Sequence, residues 1–155
     1  DCEIFKNYRP VSNLAFLSKV MEKLAASRLF KHMSINGLLE LFQSAYKELH
    51  STETALVKVH NDLMMGIDDN SCGYVILILL DLSAAFDTID HIYLCKFLKD
   101  LIGIDGLALS WFQSYLSNRS QRVTINGVKS ACQHLKYGVP QGSVLGPILF
   151  CIYIL

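Results

Sequence analysis

The sequence predicts an α+β domain, and three observations carry that prediction. Apolar residues recur at helical spacing over residues 14–31 and 52–66, a continuous apolar run occupies 74–80, and Asn126-Gly127 separates two short stretches of strand-like residues. The resulting order is helices, strand, helices, hairpin, helix. The chain has 155 residues, 52% hydrophobic and 18% charged, which is enough apolar material for one domain's core and excludes a largely disordered protein.

The elements follow in order. Residues 14–31 place Leu14, Leu17, Met21, Leu24 and Leu29 on one helical stripe, with Lys19, Glu22, Lys23 and Arg28 mostly opposite. Asn36-Gly37 marks a turn, and a short apolar stretch follows to Phe42. Residues 52–66 read as a second helix capped by Ser51 or Thr52, with Glu53 in its first turn and Ala55, Leu56, Val59 and Leu63 facing inward. The run Tyr74–Leu80 is rich in β-branched and large apolar residues and stops at Asp81, as a strand buried on both faces would. A helix at about 92–102 has Leu94, Phe97, Leu98 and Leu101 inside and Gly103 near its end, and another covers about 106–117. Arg122–Ile125 and about 128–136 form a hairpin around Asn126-Gly127. A glycine-containing loop, 138–146, leads to a last helix with Pro147 at its first position.

Net charge is zero, so bulk charge gives no argument for a nucleic-acid partner. Its distribution is uneven: residues 1–60 hold 8 Lys/Arg and 6 Asp/Glu, residues 61–110 hold 2 and 8, and residues 111–155 hold 4 and 0. A basic–acidic–basic layout suits a phosphate-contacting surface around a carboxylate site, and also ordinary surface charge. The five cysteines are scattered without a Cys-x-x-Cys pair, which argues against a zinc site or a disulfide framework and for a reduced, intracellular protein. No cleavable signal is visible at the N-terminus, and both ends read as cut. The uncharged stretch 137–155 is interrupted by Pro140, Gln141, Gly142 and Ser143, which leaves about twelve apolar residues, too few to span a bilayer.

Three segments can carry chemistry. In LLDLSAAFDTIDH, residues 79–91, Asp81 ends the apolar run, and Asp87 and Asp90 follow closely. A carboxylate there, with a neighbouring carbonyl, can hold a hard divalent cation, although an Asp before a helix also serves as a cap. In YGVPQGSVLGP, residues 137–147, Gly138, Gly142 and Gly146 let backbone approach a ligand closely, and Gln141 offers both donors and an acceptor. The loop is not a P-loop, because no Gly-Lys-Ser/Thr follows, and a plain connection is the simpler use. In NYRPVS, residues 7–12, Arg9 precedes Pro10 in an extended segment and can present its guanidinium to phosphate or to solvent. Arg119, Arg122 and Lys129 surround the hairpin with no acid after residue 110, as nucleic-acid contacts or as surface charge. His32, His60, His91 and His134 read as structural or surface residues.

Taken in order, NYRPVSNLAFLSKVMEKL, QSAYKELHSTETAL, LLDLSAAFDTIDH, YLSNRSQRVTINGVKS and GVPQGSVLGPILF resemble the reverse transcriptase domain of non-LTR retrotransposons over nearly the whole chain. The resemblance implies a right-hand polymerase fold. Residues of about 1–70 and 118–140 would form fingers, and about 71–117 and 141–155 part of the palm, ending before the family's second catalytic Asp motif. It implies RNA-templated DNA synthesis from a DNA primer and dNTPs with two Mg²⁺ ions, inside the cell and in the nucleus, with no membrane partner. Asp81 would be the catalytic metal ligand, with the Leu82 carbonyl beside it. Phe86 would occupy the steric-gate position against a ribose 2′-hydroxyl, where RNA-copying RNA polymerases place an Asp five residues after the first. Gln141, Gly142 and Arg9 would contact the incoming nucleotide, and Asp87 would be structural. Arg119, Arg122 and Lys129 would track nucleic acid.

The segment YKELH, residues 46–50, departs from the family's aromatic-Arg-x-Gly-Arg/His pattern at Glu48 and Leu49. With Asp81 alone, two-metal chemistry lacks ligands, so the 155 residues by themselves are expected not to polymerise. Two alternatives accompany this reading: a group II intron-type reverse transcriptase with maturase function, and a defective remnant that at most binds nucleic acid.

Overall fold

Every helix start in this chain is a problem of unpaired backbone N–H groups, and the solutions found define the architecture. The computed structural model describes Ile4, residues 11–69 and residues 74–155. The chain divides into two units, one of residues 1–38 with 84–155 and one of residues 39–83.

In the larger unit, α1 spans Phe16–Ile35 and ends where Gly37 takes φ +65°. Helix α3 spans His91–Asp100, and its cap, Asp90, accepts the Ile92 and Tyr93 N–H groups at 2.7 and 3.2 Å. Helix α4 spans Gly106–Leu116 behind Asp105, which accepts the Gly106 N–H. Helix α5, Leu145–Tyr153, packs on α1 and α3, and α3 also meets α4. Leu94, Leu98, Ile102, Leu116, Leu145, Leu149 and Ile152 are fully buried at this meeting. Each such side chain contributes about 1.5–3 kcal/mol relative to exposure.

The hairpin predicted around Asn126-Gly127 is present. Thr124–Ile125 (β2) pairs antiparallel with Val128–Lys129 (β3), and further out Ser120–Gln121 (β1) pairs with Gln133–His134 (β4). Asn126 and Gly127 both take positive φ, 49° and 83°, as a two-residue turn matched to strand twist demands. All residues of these strands are exposed.

In the smaller unit, α2 spans Thr52–Asp68. Ser51 and Thr54 form a reciprocal cap: Thr54 N–H donates to Ser51 Oγ, and Ser51 N–H to Thr54 Oγ1. Lys58 and Asp62 pair at 3.1 Å one turn apart, an exposed contact worth at most a few tenths of a kcal/mol. Among the described residues no helix is long and apolar enough to cross a membrane.

Several expectations are corrected. Residues 74–80 belong to no sheet among the described residues, and all are exposed, Leu80 at 89%. An apolar run supplies side chains for a sheet but not the paired backbone that makes one. Asp81 therefore does not sit at the end of a buried strand. The buried side of α1 is Glu22, Ala26, Leu29 and Met33, while Leu17, Met21 and Leu24 are exposed, so the helix is rotated from its most apolar stripe. No residue of α2 is buried, the expected inner stripe included. Leu101 is half-exposed, because α3 ends one residue before it. Pro147 is the third residue of α5 rather than the first, still within the turn whose N–H groups have no helical acceptor.

Candidate functional site

The loop before α5 is built onto the turn before α3. Gly138 N–H donates to the Ile89 carbonyl at 2.7 Å, and Val139 N–H to the Phe86 carbonyl at 2.9 Å. His91 Nε2 lies 2.8 Å from the Gly138 carbonyl, completing the clamp as a donor. Gly138 is required here: its φ is +86°, and a Cβ would lie 3.0 Å from Asp87 Cα and the Phe86 oxygen.

This clamp brings together residues 47 to 54 positions apart in sequence. Gln141 Nε2 donates to both carboxylate oxygens of Asp87 at 3.3 Å. Asp87 thus fixes the nitrogen end of the amide, and among the described residues nothing donates to the oxygen end. Phe86, next to Asp87, is half-buried with its ring centroid 5.1 Å from that of Phe150 on α5. On the other side of the loop the Gln141 carbonyl accepts the Ser12 N–H at 2.9 Å. Gly142, φ +88°, faces Val11, whose Cγ1 would be 3.6 Å from an added Cβ. Phe86, Asp87, Gln141 and Gly142 therefore form one constellation: an aromatic face, a carboxylate, an oriented amide and exposed glycine backbone.

Asp81 and Leu82 belong to the 39–83 unit and are exposed in irregular chain. Their carboxylate and carbonyl are hard oxygen donors of the kind a divalent cation takes. Among the described residues no group of three or more His, Cys, Asp or Glu could hold a metal ion. Asp81 and Leu82 fit such an ion only as part of a donor set that substrate phosphates and further carboxylates complete. Asp90, the third acid of this segment, is committed to capping α3. Arg9 lies outside the described residues.

Of the basic residues near the hairpin, Arg119 lies 5.2 Å over the Tyr115 ring and donates to the Tyr115 carbonyl at 3.3 Å. Arg122 and Lys129 are exposed. Arg122, together with Ser120, lowers the Cys132 thiol pKa from its usual value, Ser120 contributing most. Burial pushes the Cys95 and Cys151 thiols up.

His91, expected to be structural or on the surface, is structural: its bond to the Gly138 carbonyl fixes the loop. Glu22, expected opposite the apolar stripe of α1, is instead buried beneath α5. No periodicity within α1 signals this: the partners of Glu22 are the Val144 and Leu145 N–H groups, which Ser143, the acceptor of the Gly146 N–H, leaves uncapped.

The family model described as "Reverse transcriptase (RNA-dependent DNA polymerase)" matches residues 4–155. The chain is 34% identical over 147 residues to "Probable RNA-directed DNA polymerase from transposon X-element" of Drosophila melanogaster, covering 95% of this chain and 16% of that protein. It is 32% identical over 147 residues to "RNA-directed DNA polymerase from mobile element jockey" of the same species, with the same 95% and 16% coverage. Similarity extends at 24% identity over 151 residues to "Retrovirus-related Pol polyprotein from type-1 retrotransposable element R2" of Popillia japonica, covering 97% of this chain and 20% of that protein. The chain thus spans only a small part, 16–20%, of the length of these relatives. No solved structure matches it. The chain therefore belongs to the reverse transcriptase (RNA-dependent DNA polymerase) family, and the relatives it matches are polymerases of transposons and mobile elements.

Proposed function

We propose that this chain is part of an enzyme that copies RNA into DNA, extending a DNA primer with deoxynucleoside triphosphates. The observation that carries the proposal is the meeting of Phe86, Asp87 and Gln141 in one clamp, because it joins an aromatic gate to an oriented amide. Residues of about 1–70 and 118–140 form fingers in this reading, and about 71–117 and 141–155 part of the palm of a right-hand polymerase.

Asp81 and the Leu82 carbonyl would hold Mg²⁺ together with the nucleotide's phosphates. Bound divalent ions lower the pKa of the primer 3′-hydroxyl and neutralise charge on the departing pyrophosphate. The chain's own residues do the rest. Phe86, braced by Phe150, packs against the sugar where a 2′-hydroxyl would stand. Gln141, held by Asp87, directs its amide at the incoming nucleotide, and Gly142 leaves backbone open beside it. Arg9 is the candidate partner of the triphosphate, since a guanidinium suits phosphate. Arg119, Arg122 and Lys129 follow the nucleic-acid backbone, a salt-sensitive contact.

The test is labelled dNTP incorporation on a primed RNA template by the full-length polymerase, its Asp81→Asn variant, and residues 1–155 alone. Asp81→Asn is expected to lose about a thousandfold in rate, equivalent to roughly 4 kcal/mol of transition-state stabilisation. The 155 residues alone are expected to incorporate nothing. Undiminished synthesis by Asp81→Asn would remove the basis of the proposal.

A further inference from the structure

Glu22 is 1% exposed in the middle of α1, and among the described residues no cation pairs with it. A buried carboxylate is tolerated only when its oxygens are hydrogen-bonded. Here they are. Oε2 accepts the Val144 N–H at 2.7 Å and the Leu145 N–H at 3.4 Å. Oε1 accepts the Ser18 hydroxyl and the Tyr115 hydroxyl, each at 3.3 Å.

The first two donors are the opening of α5, which has no side-chain cap of its own at Val144. The remaining N–H groups of that turn are accounted for. Gly146 N–H donates to Ser143 Oγ at 2.9 Å, and Pro147 has none. Glu22 therefore supplies from 122 positions upstream the hydrogen-bond acceptor that the helix start lacks at Val144 and Leu145. The glutamine loop then has three anchors: Gly138 and Val139 on the turn before α3, the Gln141 carbonyl on Ser12, and Val144–Leu145 on Glu22. Gln141 is itself the middle anchor, three residues before the one on Glu22.

We propose that Glu22 is a positioning residue for nucleotide binding: it holds the start of α5 to α1 and so keeps Gln141 where the incoming nucleotide meets it. This rests on the polymerase reading above. Glu22 touches no substrate; it acts through Val144, Leu145 and the loop they terminate. The hydrogen-bond pattern, rather than charge, is the working feature. A Gln at position 22 can present its oxygen to the two N–H groups and its NH₂ to the Ser18 and Tyr115 hydroxyls, both of which can accept.

The test uses the full-length polymerase and the variants Glu22→Gln, Glu22→Asp, Glu22→Ala, Gln141→Ala and Glu22→Ala/Gln141→Ala. It reads kcat, KM for dNTP, KM for primed template, and thermal midpoint. Glu22→Ala is expected to raise KM for dNTP about tenfold, as small misplacements of a binding group do, with KM for template unchanged. Glu22→Gln should restore KM for dNTP to within about threefold of the parent. The double variant should be no worse than Gln141→Ala, since both act through one contact. If Glu22→Ala does not fold, Glu22→Asp carries the test, with KM for dNTP expected to rise about threefold as the carboxylate withdraws from α5. A folded Glu22→Ala, or failing that Glu22→Asp, with unchanged KM for dNTP overturns the inference, as does a Glu22→Gln variant as impaired as Glu22→Ala. The two possible failures separate. A parent enzyme that incorporates no dNTP sinks the polymerase reading together with this role, whereas an enzyme sensitive to Gln141→Ala but indifferent at position 22 sinks this role alone.

Discussion

Gly138 and Gly127 share a backbone conformation, φ +86° and +83°, but not surroundings. That pair isolates the contribution of the clamp. Replacing either with Ala costs about 1–2 kcal/mol for a side chain in the left-handed region. At Gly127 nothing lies within 4 Å of the added Cβ, so the cost ends there. At Gly138 the Cβ meets Asp87 Cα and the Phe86 oxygen at 3.0 Å and the Asp87 oxygen at 3.1 Å, all backbone atoms that cannot rotate aside. The loop must lift, stretching the Gly138–Ile89 and Val139–Phe86 hydrogen bonds. Each is worth about 0.5–1.5 kcal/mol, so Gly138→Ala should cost about 2–5 kcal/mol in all. Urea unfolding at constant slope measures the two losses, and amide exchange at position 138 and Val139 reports whether the clamp has opened. Losses equal within about 0.5 kcal/mol, with unchanged exchange at Val139, would refute the steric argument.

Two further outcomes concern Tyr115 and the cysteines. Burial, then the Glu22 charge, push the Tyr115 phenol up to about 12, against an ordinary value near 10. The unfolded chain therefore loses this proton first as pH rises. Stability should fall by about 1.4 kcal/mol per pH unit between pH 10 and 12, and Tyr115→Phe should flatten that part of a pH-dependent unfolding profile. Cys132, whose thiol Ser120 and Arg122 pull down, should alkylate with iodoacetamide before Cys95 and Cys151, whose thiols burial pushes up; mass spectrometry at partial labelling reads the order.

The parts of the fold legible in the sequence are those whose signals are local. Ser51 with Thr54, Asp90 before α3 and Asn126-Gly127 each determine their own turn through bonds within three residues. The candidate site was legible as two motifs, and Gln141 and Phe86 do share one clamp. What escaped depends on distant partners. The inner face of α1 includes an acid because the start of α5 offers it bare N–H groups, and no periodicity within 16–35 records that. The run 74–80 has strand chemistry without a paired neighbour among the described residues. The sequence leaves His91 structural or surface, and the Gly138 carbonyl against it decides for the first.

Sugar discrimination by the full-length polymerase tests most directly whether the clamp is a nucleotide site. Phe86→Ala removes the ring that Phe150 braces and should raise ribonucleotide incorporation relative to deoxyribonucleotide by about tenfold to a hundredfold, with DNA synthesis retained. An unchanged ratio would mean that no sugar rests against Phe86, contradicting the account at its centre.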